Sequence, residues 1–234
     1  MTQLEPSKNS NSLSSKQSKE LNSSVSPWVA KIIYPLGCYF VLPFFFSKIQ
    51  ITGQENIPQD DPVIIAPTHR SRWDAFIVPY AVGRLVSGRD PRFMVSANEV
   101  KGIQGWVIRR MGGFPVDTEH PQLKSVRHSV ELLKNEREML VIFPEGGIFD
   151  DYQIHPLKRG VAAIALQAET DKSKVKILPM AIRYSKLYPT WRTEIRVDIG
   201  SPLAVADYLD SSLRQSSLKL TAALEKSLKK LYEY

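Results

Sequence analysis

Cysteine is nearly absent. Cys38 is the only one in 234 residues, so no internal disulfide can form and a disulfide-stapled scaffold is excluded. Cys38 lies in an apolar run, which reads it as a small buried hydrophobe and not as a nucleophile. Histidine is scarce too, at four residues, and no Cys/His cluster has zinc-ligand spacing. There is no GxGxxG turn and no P-loop, so the common glycine-rich phosphate cradles are missing. No GxSxG elbow is present, which removes the usual strand-to-helix serine nucleophile. The uncharged apolar run Ile32–Phe46 has 15 residues, short of the ~20 that span a bilayer as a helix.

What is present fits a folded domain. Hydrophobic content of 43% and charged content of 24% are ordinary for a globular chain long enough to bury a full core. A net charge of +7 and a pI of about 9.4 suit an anionic partner: nucleic acid, a phosphate-bearing metabolite, an acidic carrier protein or an anionic membrane. A merely soluble basic protein carries the same charge. No nucleic-acid-binding motif supports the first option, and we expect no nucleic-acid partner.

Four regions are expected. Residues 1–25, rich in Ser, Asn, Lys and Gln, read as a disordered tail. This is not the pattern of a secretory signal, because the apolar segment comes late and no small-residue cleavage site follows. Residues 26–47 read as a membrane-interfacial helical element. Lys31 is the only charge between Trp28 and Phe46, Pro35 and Pro43 interrupt the run, and Trp28, Tyr34 and Tyr39 favour a membrane–water boundary. A spanning helix and a helix packed on the protein's own core are the alternatives. Residues 48–206 alternate between strand and helix patterns, which argues an α/β domain with a mixed, largely parallel sheet flanked by helices. Strands are expected at Ile49–Thr52, Pro62–Ala66, Arg92–Ser96, Gly113–Val116, Met139–Phe143, Val175–Arg183 and Thr193–Ile199. Helices are expected at Trp73–Val82, Gly102–Arg110, Pro121–Asn135 and Lys158–Glu169. Residues 207–234 read as an amphipathic helix packed on the domain, with membrane contact as the alternative.

Chemistry concentrates at strand ends, where sites assemble in open α/β sheets. His69-Arg70-Ser71-Arg72-Trp73-Asp74 puts an imidazole and a carboxylate five residues apart. Such a pair makes a general base when the carboxylate holds one ring nitrogen and the other accepts a hydroxyl proton. The same spacing also describes a surface histidine beside a helix-capping aspartate. Three further segments follow in order: Gly112-Gly113-Phe114-Pro115-Val116-Asp117, Phe143-Pro144-Glu145-Gly146-Gly147 and Ile177-Leu178-Pro179-Met180-Ala181.

Taken together, residues 49–203 resemble the glycerolipid acyltransferase family typified by bacterial 1-acylglycerol-3-phosphate acyltransferases. Smaller echoes at Gly53–Pro58, Lys101–Trp106, Pro156–Gly160 and Gly200–Pro202 agree. The resemblance implies transfer of a fatty acyl group from a thioester of acyl carrier protein or coenzyme A to a hydroxyl of 1-acylglycerol-3-phosphate, giving phosphatidic acid. His69 would be the general base and Asp74 would fix its tautomer. No covalent acyl-enzyme, cofactor or metal is called for, and the acyl thioester is a co-substrate. Backbone amides near the first motif could hold the oxyanion. Glu145 would orient the glycerol part, with a structural carboxylate as the alternative. Gly146 would permit a tight turn against the substrate, and Phe114 and Pro115 would belong to the acceptor site. The family places its proteins on membranes, so the expected location is monotopic, facing the cytoplasm.

The chain departs from the family where phosphate is bound. An Arg is usual after the second motif's Val/Ile-Asp, and Thr-Arg-Ser after Glu-Gly. This chain has Thr118 and Gly147-Ile148-Phe149. Candidate replacements are Arg70, Arg72, Lys158 and Arg159. The same chemistry on a neutral or different lipid hydroxyl, a thioester hydrolase and a non-catalytic membrane module remain as alternatives.

Overall fold

The computed structural model describes residues 25–116 and 123–233. The segment 1–24, most of the expected tail, lies outside the described residues, as do 117–122, which include Asp117 and Thr118, and Tyr234.

A single helical run, α1 (Pro27–Phe45), opens the described chain and is apolar and long enough to cross a membrane by length and composition. The expected interruption at Pro35 is not a break. Proline lacks the N–H that the ladder needs, and the backbone widens into a π-helical stretch, Leu36–Val41, directly after it. The run then returns to α geometry at Leu42–Phe45. This is the usual accommodation of a helix defect by a local π turn.

The chain then alternates as β1 (Lys48–Thr52), β2 (Val63–Pro67), α2 (Asp74–Val82), α3 (Arg84–Ser87), β3 (Arg92–Ser96), α4 (Gly102–Arg110) and β4 (Gly113–Val116). It continues with α5 (Leu123–Leu133), β5 (Met139–Val141), α6 (Gly160–Ala168), β6 (Lys176–Tyr184), β7 (Glu194–Ile199), β8 (Leu203–Ala204) and α7 (Leu213–Tyr232). The strands form one sheet in the order β1-β7-β6-β2-β5-β3-β4, with β8 also on β6. Strands β6, β2, β5, β3 and β4 run parallel. β7 is antiparallel to β6 and parallel to β1. The sheet is therefore mixed and largely parallel, as expected.

The reason for parallel pairing is visible in β2. Val63, Ile64, Ile65 and Ala66 are all fully buried, the signature of a strand covered on both faces. Ile65 joins the core beneath α2, with Ile77, Val78 and Ala81. Ile64 joins the opposite core, beneath α5, α6 and α7. Burying each isoleucine is worth roughly 1.5–3 kcal/mol. A one-residue slip would exchange the two sets of contacts, so the register of β2 is tightly specified. Leu220, Leu224 and Leu228 of α7 are buried in the second core, and α7 packs on α6 and β6.

The topology brings the ends of β2, β5 and β6 to one edge of the sheet. The end of α1 arrives at the same edge, because β1 begins there. Phe45 stacks on Trp73 at 4.5 Å between centroids, and Phe46 meets Trp73 edge-on.

Candidate active site

The turn after β2 carries the site. Thr68 is fully buried and extends the β2–β6 ladder with its side chain. Its hydroxyl accepts the Ile182 amide at 2.9 Å, and its own amide donates to the Met180 carbonyl. The chain direction entering His69 is thus fixed by β6.

His69 Nδ1 lies 2.9 Å from Asp74 Oδ2. The same oxygen accepts the backbone amides of Arg70 at 2.7 Å and Ser71 at 2.9 Å. The other carboxylate oxygen accepts the Tyr184 hydroxyl at 2.6 Å. Asp74 has no exposed surface, and burying such a carboxylate is tolerable only with this degree of hydrogen bonding. Asp74 is the first residue of α2 and not its cap: it ties down the preceding turn and holds the ring. With the Nδ1 proton facing Asp74, the Nε2 lone pair is left bare. Nε2 has no partner among the described residues, and the His69 side chain keeps 18% of its surface. Its ring lies flat on Phe143, 3.8 Å between centroids.

Glu145 is buried beside this pair. Its Oε2 accepts the His69 amide at 3.0 Å and Arg70 Nη1 at 2.8 Å. Its Oε1 accepts Arg70 Nη2 at 3.0 Å and the His155 amide at 3.0 Å. The carboxylate therefore joins the His69 turn, Arg70 and the loop 148–155. In this arrangement it faces protein donors and no open site. That is the structural alternative, where the resemblance gave it to the glycerol.

The backbone amides of His69, Arg70 and Ser71 all donate to carboxylates. They are committed to Glu145 and Asp74, so of the backbone amides near the first motif that could hold an oxyanion, these three are already taken.

A model of the acyltransferase family matches residues 48–183. This chain belongs to the acyltransferase family. The 1-acyl-sn-glycerol-3-phosphate acyltransferase of Bacillus subtilis is 28% identical over 194 residues, covering 78% of this chain and 87% of that one. The pneumococcal enzyme of the same name, from Streptococcus pneumoniae R6, is 28% identical over 159 residues, 65% of this chain. This match spans only 54% of the pneumococcal protein's length. The crystal structure of the lysophosphatidic acid acyltransferase PlsC from Thermotoga maritima shares the fold, with a TM-score of 0.69 at 22% identity over 88% of this chain and 79% of that one.

The acyltransferase domain distributes the other candidate residues unevenly. Arg70 is buried, and every N–H of its guanidinium is taken: Nε by the Tyr232 hydroxyl, Nη1 by Glu145 and the His69 carbonyl, Nη2 by Glu145 and the Gln153 carbonyl. It has no donor left for an acceptor phosphate, so the sequence reading of Arg70 as a phosphate ligand is corrected. Burial alone would weaken its charge, but Glu145 and Tyr232 outweigh that and raise its pKa. Arg72 is exposed and pairs with Glu99 at 2.9 Å. Phe114 points into the core, edge-on to His128 at 4.8 Å. It is a packing residue and not a lining residue. The Pro115 carbonyl accepts the Ser125 hydroxyl.

Lys158 and Arg159 are exposed, and neither side chain has an ion pair or hydrogen bond among the described residues. Lys158 crosses directly over Gly146. A Cβ on Gly146 would stand 2.5 Å from Lys158 Cε, and the residue's φ of +74° is in the left-handed region. Gly146 is thus required by a backbone turn and by a lysine laid over it. The residues that spacing did not mark are Thr68, Phe143, Tyr184 and Tyr232. Thr68 adjoins His69 and Phe143 opens the third motif, but their contacts depend on the fold. Tyr184 and Tyr232 reach the turn from β6 and α7 and carry no local signal.

Proposed function

We propose that this protein transfers a fatty acyl group from an acyl thioester to the free hydroxyl of 1-acylglycerol-3-phosphate, giving phosphatidic acid. The observation that carries the reading is the His69–Asp74 pair, with a bare Nε2 at the strand-end edge of an acyltransferase fold. The acceptor oxygen bonds to the thioester carbonyl carbon as its proton passes to Nε2. The adduct collapses, the C–S bond breaks with its electron pair on sulfur, and the imidazolium returns the proton to the leaving thiolate. Asp74 holds the ring in the required tautomer. A base supplies about 10²–10⁴ in rate, and holding both substrates together supplies much of the remainder. The donor is acyl carrier protein or coenzyme A thioester, and no resident cofactor is needed.

The acceptor phosphate falls to Lys158 and Arg159, which flank the third motif and have free side chains. Arg72 is a further exposed cation on the first-motif turn.

The protein sits on one leaflet, facing the cytoplasm. α1 presents Trp28, Ile32, Leu36, Phe40 and Phe44 to the outside. The start of α1 is tied to the end of α4 through the Ser26 amide and the Arg110 carbonyl at 2.8 Å. The exposed face of α4 is itself apolar and basic: Ile103 is 86% and Trp106 46% exposed, with the Arg110 guanidinium over the Trp106 ring. An amphipathic surface of this kind suits an anionic lipid interface.

A second reading keeps the chemistry and changes the acceptor. Gly147, Ile148 and Phe149 stand where the resemblance expects Thr-Arg-Ser, and Asp150 and Asp151 follow, which favours a neutral hydroxyl. The test offers the purified full-length protein both thioester donors with lysophosphatidic acid and with a neutral monoacylglycerol. Higher kcat/KM for lysophosphatidic acid is expected. Preference for the neutral alcohol establishes the second reading, and release of free fatty acid without acylated lipid overturns both.

A further inference from the structure

We propose that Tyr184 is a positioning residue of the His69–Asp74 pair, one that tempers the carboxylate by holding its second oxygen. The inference rests on the general-base reading given above. It concerns a residue on β6, which is separated from Asp74 by 110 positions and belongs to none of the four motifs.

The geometry is specific. Asp74 Oδ2 faces the His69 ring and two backbone amides. Oδ1 faces the Tyr184 hydroxyl at 2.6 Å. Tyr184 is buried, and its phenol can donate only where its oxygen is aimed. Burial, then the Asp74 charge, push its pKa far above the usual tyrosine range, so it remains a neutral donor throughout the working pH. The register of β6 against β2 fixes the approach: Pro67 pairs with Met180, and Thr68 bonds both the amide and the carbonyl of Ile182, two residues before Tyr184.

A strong hydrogen bond from a neutral phenol spreads the carboxylate's charge away from the imidazole. It also prevents rotation of the carboxylate, so Oδ2 stays on Nδ1. Without that donor, Oδ1 is buried and unpaired. The full negative charge then acts on the ring, and the imidazolium is stabilised. The base would lose its proton only at higher pH. Asp150, Asp151 and Lys186 line a small cleft with Tyr184 and Arg70. Asp151 pairs with His155 at 2.8 Å, and Arg72, on the same turn as the pair, is held by Glu99. From the β5 side, Glu145 is neutralised by Arg70. From α7, Tyr232 bonds to Arg70 and not to the pair. From the residue that follows α1, the neighbour of Tyr184 is the apolar Phe46, 6.2 Å away between centroids.

The test is the pH dependence of kcat/KM for Tyr184→Phe, which keeps the ring and its packing. The acid limb should move up by about one pH unit, which on a slope of one costs about tenfold below the midpoint and little above it. Thermal melts of both proteins accompany the profile, and Tyr184→Phe should retain a cooperative transition. An unmoved midpoint overturns the proposal, whether activity is unchanged or uniformly reduced, because a merely structural role lowers the curve without shifting it. Where Tyr184→Phe does not fold, 3-fluorotyrosine is placed at position 184. Its more acidic phenol donates more strongly to Asp74 Oδ1, so the midpoint should move down, and an unmoved midpoint there also overturns the proposal. His69→Ala is measured alongside. Full activity there overturns the general-base reading itself, whereas an inactive His69→Ala with an unshifted Tyr184→Phe overturns the role of Tyr184 alone.

Discussion

Arg70 and Glu145 meet through both terminal guanidinium nitrogens and both carboxylate oxygens, at 2.8 and 3.0 Å, and both residues are buried. They lie 75 positions apart. The pair links the turn after β2 to the loop after β5, and it extends to the end of α7 through Tyr232, over whose ring the Arg70 guanidinium lies at 5.2 Å. A fork-to-fork pair of this kind is geometry-specific in a way that a lysine cannot reproduce.

The first prediction separates a scaffold from a ligand. Arg70→Lys keeps the charge and loses the fork, so stability should fall. Removing one partner altogether, as in Arg70→Ala, leaves Glu145 charged and buried, at a cost of about 3–5 kcal/mol. Denaturant melts measure this directly. An Arg70→Lys protein with unchanged stability but a raised KM for the acceptor would return Arg70 to the phosphate.

The second concerns the pair itself. His69→Ala and Asp74→Asn should each lower kcat by about 10²–10⁴. The two losses should not add, since both act on one proton transfer. Asp74→Asn should also lower stability, because an amide nitrogen placed among the donors of Arg70, Ser71 and Tyr184 cannot accept them all. Steady-state rates of the single and double variants decide it, and additive losses would show that the two residues act separately.

These two sites differ in how far the sequence revealed them. All seven expected strands are present, and the central ones are legible because a strand buried on both faces is a continuous apolar run, as at Val63–Ala66. The short β8 and α3 leave no buried apolar run: Leu203 and Ala204 are half-buried, and Leu85 and Val86 are exposed. His69 and Asp74 were legible because both lie within one turn. Arg70 was read as a free cation, and its partner could not be seen, because a contact across 75 positions leaves no local pattern. Phe114 was assigned to the acceptor site on its motif. A motif does not say which face of β4 a side chain takes, and the fold turns Phe114 into the core. Pro35 was read as a break, whereas a π-helical stretch absorbs it.

The third prediction tests the cation laid over Gly146. Lys158→Ala and Arg159→Ala should raise KM for a phosphate-bearing acceptor and leave a neutral acceptor unaffected. Gly146→Ala should act in the same direction, because its new Cβ would occupy the place of the Lys158 stem, and the left-handed backbone adds about 1–2 kcal/mol of strain. Equal effects on charged and neutral acceptors would remove the phosphate role.

The fourth concerns the outer surface. Replacing Phe40 or Phe44 by Asp should weaken binding to anionic vesicles, as should replacing Ile103 on α4. The contribution of the basic residues should decline with salt, over a Debye length of about 8 Å at physiological ionic strength. Sedimentation with vesicles measures both effects. Vesicle binding that survives all three substitutions would place the membrane contact elsewhere.

The last prediction concerns acid stability away from the site. Asp198 is buried between β1 and β6 and accepts Thr52 at 2.7 Å, Arg196 at 2.9 Å and Arg183. Burial alone would raise its pKa, but those donors outweigh it and hold the group below the usual carboxylate value. A depressed folded-state pKa means that the unfolded chain takes up its proton first as pH falls. The stabilisation from Asp198 is therefore complete above the unfolded value near 4, and it is lost progressively as pH falls through the folded value. Asp198→Asn should remove this contribution, costing about 1–3 kcal/mol at pH 7, because a neutral amide holds the half-buried Arg183 less well than a carboxylate does. It should also flatten the decline in stability below pH 4. Urea midpoints at pH 7 and pH 3 provide the comparison. A variant that is as acid-sensitive as wild type would assign the low-pH loss to other carboxylates.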